Sequence, residues 1–186
     1  MMTQRQALDA IVAVRGEQVV ITTMGSSGIW PTLSDTPLDF AYIPSSMGQG
    51  IALGLGLALA QSHHGVIAVV GDGSLLMNLG ALVTVANHPA RLYVVLIDNG
   101  LYGVTGGQAV AGAGRTDFAG LARSAGIEHV FTFEEESAWR AVAVEVLSGP
   151  GPAFVWLKVE AVLGQKTPAP PRPMVEQIAR LQAALI

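Results

Sequence analysis

The chain has 186 residues, a net charge of −4, 51% hydrophobic and 13% charged residues, 22 glycines and no cysteine. Such a chain has ample apolar surface to bury, so it is not disordered, and it has neither a disulfide framework nor a thiolate metal site. Only two of its ten basic residues are lysines, Lys158 and Lys166, and no basic patch suggests nucleic acid.

Thr3 caps a predicted helix over 4–15, with Gly16 as its stop. Residues 19–21 read as a buried strand, 22–27 as a loop of small residues and 40–43 as a short strand. A helix over 47–62 follows, with glycines at 48, 50, 54 and 56. Glycine costs about 1 kcal/mol per helix position relative to alanine. Four of them imply that something packs tightly there, and a partner subunit is the expected neighbour. The most apolar stretch, 51–60, is far shorter than the roughly 20 residues that span a bilayer, and residues 1–16 lack the apolar core of a signal peptide. A cytoplasmic location fits.

Residues 66–70 form an apolar strand ending in Gly71-Asp72-Gly73, and 74–86 a helix. Residues 92–97 form a second apolar strand, ending in Asp98-Asn99-Gly100. Asp117 caps a helix to residue 124, 129–133 is a strand, 134–147 an amphipathic helix and 153–159 the last strand. Four of the ten prolines fall within 164–173, read as a tail or clamp, before a final helix over 174–185. The whole of 1–186 reads as one domain. Apolar strands alternating with helices predict an α/β fold, a parallel β-sheet with helices on both faces.

Ligands of such sheets bind at the carboxyl ends of the strands. Asp72 offers a carboxylate there, Asn99 an amide oxygen and Leu101 a backbone carbonyl, while Gly73 and Ser74 open a helix whose free N–H groups attract anions. Hard oxygen donors beside an anion site suit Mg²⁺. Gly-Asp-Gly and Asn-Gly are each ordinary turns. Their conjunction is informative, because each follows an apolar strand and 24 residues, one crossover, separate Gly73 from Asp98.

That spacing, continued by Asn99-Gly100-Leu101-Tyr102-Gly103, resembles the diphosphate-binding (PP) domain of thiamine diphosphate-dependent enzymes over roughly residues 17–160. The resemblance implies thiamine diphosphate and Mg²⁺ as cofactors. Asp72, Asn99 and the Leu101 carbonyl resemble the metal ligands, and Gly71, Gly73, Ser74 and Tyr102 belong to the cofactor-binding turns. Met47 resembles the apolar wedge that bends the cofactor, and Ser45 offers the carbonyl that receives the aminopyrimidine amine. Thr23, Gly25, Ser26 and Ser27 resemble a further diphosphate contact. Asp98 stands where the family has a first asparagine, and Ser45 where it has glycine.

The length leaves no room for the family's pyrimidine-binding (PYR) domain, and no glutamate matches its catalytic one. A companion PYR-domain subunit is therefore expected, in a hetero-oligomer. Gly106-Gly107-Gln108 further resembles two-subunit sulfopyruvate decarboxylases and the C-terminal part of phosphonopyruvate decarboxylases, with Gln108 as a substrate contact. The activity implied is loss of CO₂ from a small 2-oxo acid, with the cofactor as electron sink. Acetolactate synthase-like or benzoylformate decarboxylase-like chemistry and a non-catalytic binding module are the alternatives. A Rossmann dinucleotide domain fits poorly, since Gly25-Ser26-Ser27-Gly28 departs from Gly-x-Gly-x-x-Gly. His63 and His64 are expected at the opposite edge of the sheet.

Overall fold

A computed structural model describes residues 1–44, 47–164 and 168–186. Its strands in chain order are β1 (Val19–Thr22), β2 (Asp39–Ala41), β3 (Val66–Gly71), β4 (Leu92–Asp98), β5 (Leu101–Tyr102), β6 (Gln108–Ala109), β7 (His129–Phe133) and β8 (Ala153–Lys158). The helices are α1 (Gln4–Val12), α2 (Met24–Ile29), α3 (Gly50–Ala60), α4 (Asp72–Leu76), α5 (Gly80–Ala86), α6 (Phe118–Ser124), α7 (Glu136–Ser148) and α8 (Met174–Ala184).

Six strands form one sheet in the order β2-β1-β3-β4-β8-β7, with every pair parallel. Its central strands bury both faces, which is why their sequences are unbroken apolar runs. Alternate residues feed two cores. Ile21, Ala68, Val94 and Phe154 face one, with α3, α5 and α6. Val20, Val69, Val95 and Val155 face the other, with α1 and α7. β1 lies between β2 and β3, so the chain reverses direction across the sheet beside β1. The crevice outside the β1 and β3 carboxyl ends is the topological switch point where such sheets take ligands.

Thr3 caps α1 as expected, in a reciprocal capping box with Gln6. Three expectations change. Residues 22–27 are not a loop, because α2 begins at Met24. Residues 74–86 are two short helices, because Asn78 turns its amide to the Gly48 carbonyl at 3.0 Å and the chain bends there. The glycines of α3 serve this chain's own sheet. A Cβ on Gly50 would lie 2.7 Å from Thr23 Cγ2, and one on Gly54 would lie 3.1 Å from Ala68 Cβ, whereas Gly56 faces open space. What α3 leaves outward is apolar: Ala52, Leu59 and Ala60 are exposed, as are Met77 and Val83 nearby in the chain fold.

Both termini are tied in. Met2 is buried beside Val159, its N–H donating to the Glu134 carbonyl and its carbonyl accepting from Glu160 N, each at 3.0 Å. At the far edge, Gln177 of α8 accepts from Ala41 N at 2.9 Å and so covers an open strand edge. Arg172 and Arg180 grip Asp35, whose carboxyl their hydrogen bonds hold down at about 2. No described helix is long and apolar enough to cross a membrane.

Candidate cofactor and metal site

A cleft opens at the carboxyl ends of β1, β3 and β4. Of the residues expected at the site, Thr23, Gly25, Ser26, Met47, Gly71, Asp72, Gly73, Ser74, Asn99, Leu101 and Tyr102 line it. Ser45 lies outside the described residues. Two expectations fail to converge on the cleft. Ser27 is wholly buried and does not line it, because the first turn of α2 carries its side chain inward. Gln108 sits on the exposed hairpin strand β6, and a Cβ on Gly106 would lie 2.9 Å from its amide nitrogen.

Asp72 is the electrostatic centre. It is 3% exposed, and no described lysine or arginine pairs with it. Gly100 N donates to Asp72 Oδ2 at 3.0 Å and to Asp98 Oδ1 at 3.2 Å, so one amide lies between two carboxylates. Asp98 Oδ2 also accepts from Trp156 Nε1 at 2.9 Å. Burial first, then the neighbouring Asp98, pushes the Asp72 carboxyl up to about 7. A buried carboxylate beside a half-buried one, with no counter-cation among the described residues, fits a divalent metal. Asn99 accepts from Leu101 N at 3.0 Å, which fixes its amide oxygen in a tight turn. The donor set is mixed oxygen, and no cluster of three or more His, Cys, Asp or Glu competes with it among the described residues. That set would hold Mg²⁺ with the cofactor's phosphates completing the shell.

The pH dependence follows from Asp72. With its pKa raised, the group is protonated below about pH 7, and a cation must displace that proton. Metal affinity of the cofactor-free protein is expected to fall roughly tenfold per pH unit below pH 6 and to level off above pH 8. Calorimetry in buffers of different ionisation enthalpy checks this, since binding near pH 6.5 should release a proton.

The anion side is built from hydroxyls and backbone. Gly48 N donates to Ser74 Oγ at 2.8 Å, which ties the Met47 turn to the start of α4. Among the described residues the Ser74 proton has no acceptor, so it is free for a phosphate oxygen. Thr23 differs, since its hydroxyl donates to the Val69 carbonyl at 3.1 Å. α4 has only five residues, so what it offers an anion is its unpaired N–H groups rather than a long helix dipole. Gly73 is glycine for a nearer reason than ligand approach: a Cβ there would lie 2.3 Å from Tyr102 Cε1.

Gln4, Met24, Ile97, Val104 and Thr105 also line the cleft and were not singled out by the sequence. Met24 is in the left-handed region at φ 48°, a conformation worth on the order of 1 kcal/mol of strain. Of these only Met24 carries a signal in the sequence, standing directly before Gly25-Ser26. His63 and His64 line a depression with Arg15 and Gln18 beyond the amino ends of the strands, away from this cleft.

Comparison with known proteins agrees with the geometry. The sequence pattern of the thiamine pyrophosphate enzyme C-terminal TPP binding domain matches residues 22–157. Sulfopyruvate decarboxylase subunit beta of Methanothermobacter thermautotrophicus is 36% identical over 163 residues, spanning 86% of this chain and 84% of that protein. Phosphonopyruvate decarboxylase of Streptomyces viridochromogenes is 34% identical over 84% of this chain, which spans only 40% of that protein. An X-ray structure assigned to the thiamin diphosphate-dependent enzymes, from Mycobacterium smegmatis, superposes with a TM-score of 0.72 at 22% identity, over 86% of this chain and 32% of that one. At that identity the likeness is one of fold.

Proposed function

The chain belongs to the thiamine pyrophosphate enzymes as a C-terminal TPP binding domain, and from that premise we propose that it is the diphosphate- and Mg²⁺-binding subunit of a cytoplasmic two-subunit 2-oxo acid decarboxylase, acting on sulfopyruvate to give sulfoacetaldehyde and CO₂. The observation that carries the substrate reading is the near full-length match to a sulfopyruvate decarboxylase beta subunit, against the partial-length match to phosphonopyruvate decarboxylase. Phosphonopyruvate remains the second reading on the strength of that 34% identity.

The site itself supports a partner. The cleft is half open and its cavity volume is about 50 Å³, against roughly 300–1,000 Å³ for clefts that bury a drug-sized ligand. A cofactor with its phosphates here would leave its rings for another surface, which a PYR-domain subunit bearing the catalytic glutamate would supply. The exposed apolar outer face of α3 is where this chain offers such a subunit contact area.

The cofactor, when bound, supplies the electron sink for loss of CO₂. This chain's residues bind and orient it. Asp72, Asn99 and the Leu101 carbonyl would hold the metal that neutralises the diphosphate. Ser74 and Ser26 would donate to phosphate oxygens, and Met47 at the cleft wall would set the angle between the rings. Co-purification with the partner, then assays with sulfopyruvate, phosphonopyruvate, pyruvate and benzoylformate, tests the assignment. Sulfopyruvate turnover that needs both chains is expected. Turnover of pyruvate alone, or full activity from this chain as a monomer, would sink it.

A further inference from the structure

The N-terminal helix reaches the cleft through one side chain. Met2 is pinned between residues 134 and 160 at the carboxyl edge of the sheet, and Thr3 caps α1. Gln4, the first residue of that helix, is therefore placed at the site rather than behind it. It is 8% exposed, it lines the cleft, and its Nε2 donates to Ser26 Oγ at 3.0 Å. Ser26 is 3% exposed and lines the same cleft.

A hydroxyl carries one proton and two acceptor lone pairs. With an amide N–H aimed at its oxygen, the Ser26 proton is directed elsewhere, and among the described residues it has no acceptor. Ser74, across the cleft, is held in the same way by Gly48 N at 2.8 Å. Two buried hydroxyls, each fixed by a donor at the oxygen, leave two protons for an anion. We propose that Gln4 is a positioning residue for the cofactor's diphosphate: it fixes Ser26 as a donor to a phosphoryl oxygen. The proposal rests on the reading of this cleft as the diphosphate site. It makes α1 part of the binding apparatus, although no motif marks it.

The test is a double-mutant cycle on the assembled protein with its partner subunit. It reads thiamine diphosphate affinity by calorimetry in Mg²⁺, with inorganic pyrophosphate as a second probe that carries no rings. A hydrogen bond to a charged group is among the stronger ones, so Ser26→Ala is expected to weaken both ligands about tenfold. Gln4→Met should weaken them about fivefold, and the Gln4→Met/Ser26→Ala pair no more than Ser26→Ala alone, because the amide acts through the hydroxyl. Gln4→Glu should be worse than Gln4→Met, since a carboxylate would take the Ser26 proton. The cofactor-free melting temperature of each variant reports folding separately. Additive losses, or unchanged affinity in Gln4→Met and Gln4→Glu, would overturn the proposal. Asp72→Asn serves as the control: intact binding there would bring down the site reading itself, whereas lost binding there with normal Gln4 variants would refute only the role of Gln4.

Discussion

Asp72→Asn is expected to weaken Mg²⁺-dependent binding of thiamine diphosphate at least ~100-fold and to abolish decarboxylation. Loss of groups that merely orient ligands already costs about 10–100-fold, and Asp72 is the only carboxylate this chain is assigned as a metal ligand. The buried charge has no cationic partner among the described residues and stands beside Asp98. The variant should therefore fold at least as well as the parent when cofactor is absent. Replacing that charge by an amide of the same shape removes a desolvation penalty. An unchanged or raised melting temperature of the cofactor-free protein, together with lost binding, separates a broken site from a broken fold. A variant that binds cofactor normally would contradict the assignment of the metal.

Trp139→Ala is expected to destabilise the protein by about 3–5 kcal/mol, as truncation of a buried tryptophan does. Trp139 is fully buried on α7, donates from Nε1 to the Ala7 carbonyl at 3.1 Å and packs on Phe133 at 5.3 Å between ring centroids. The substitution would leave a cavity between α1 and the sheet and remove the second, side-chain donor of the Ala7 carbonyl, which keeps its helical bond within α1. For a chain of this length the melting temperature should fall by roughly 10 °C. Because α1 carries Gln4, a functional consequence follows as well. Variant protein that remains folded at low temperature should bind cofactor more weakly than its parent. Trp139→Phe keeps most of the packing and loses the hydrogen bond, so it should lie between the two by thermal or urea unfolding.

The sheet was legible because burial on both faces writes itself as uninterrupted apolar runs, and 66–70 and 92–97 lie within β3 and β4. Gly71-Asp72-Gly73 and Asp98-Asn99 were legible for a related reason: polar turns directly after such runs have few places to go but the carboxyl edge. What escaped notice depends on contacts distant in sequence. Asn78 breaks the helix after Ser74 through a bond to Gly48, thirty residues away. Gly73 answers to the Tyr102 ring, and Gly50 to the Thr23 methyl. The hairpin of β5 and β6 has strands of two residues each, too short for any periodicity. Gln4 reads as an ordinary first-turn residue until Met2 is seen pairing beside Val159. The apolar content divides in two, most of it filling the two cores of this chain and a smaller part remaining on the outer face of α3.

That remainder bears on the central claim, that this chain holds one half of a shared active site. The direct measurement is a calorimetric titration of thiamine diphosphate in Mg²⁺ into the chain alone and into the chain assembled with the proposed PYR-domain subunit. Weak or no binding to the isolated chain, tight binding to the assembly and loss of both on chelation of the metal are expected if the chain holds half of a shared site. Equal, tight, metal-independent binding by the isolated chain would contradict it.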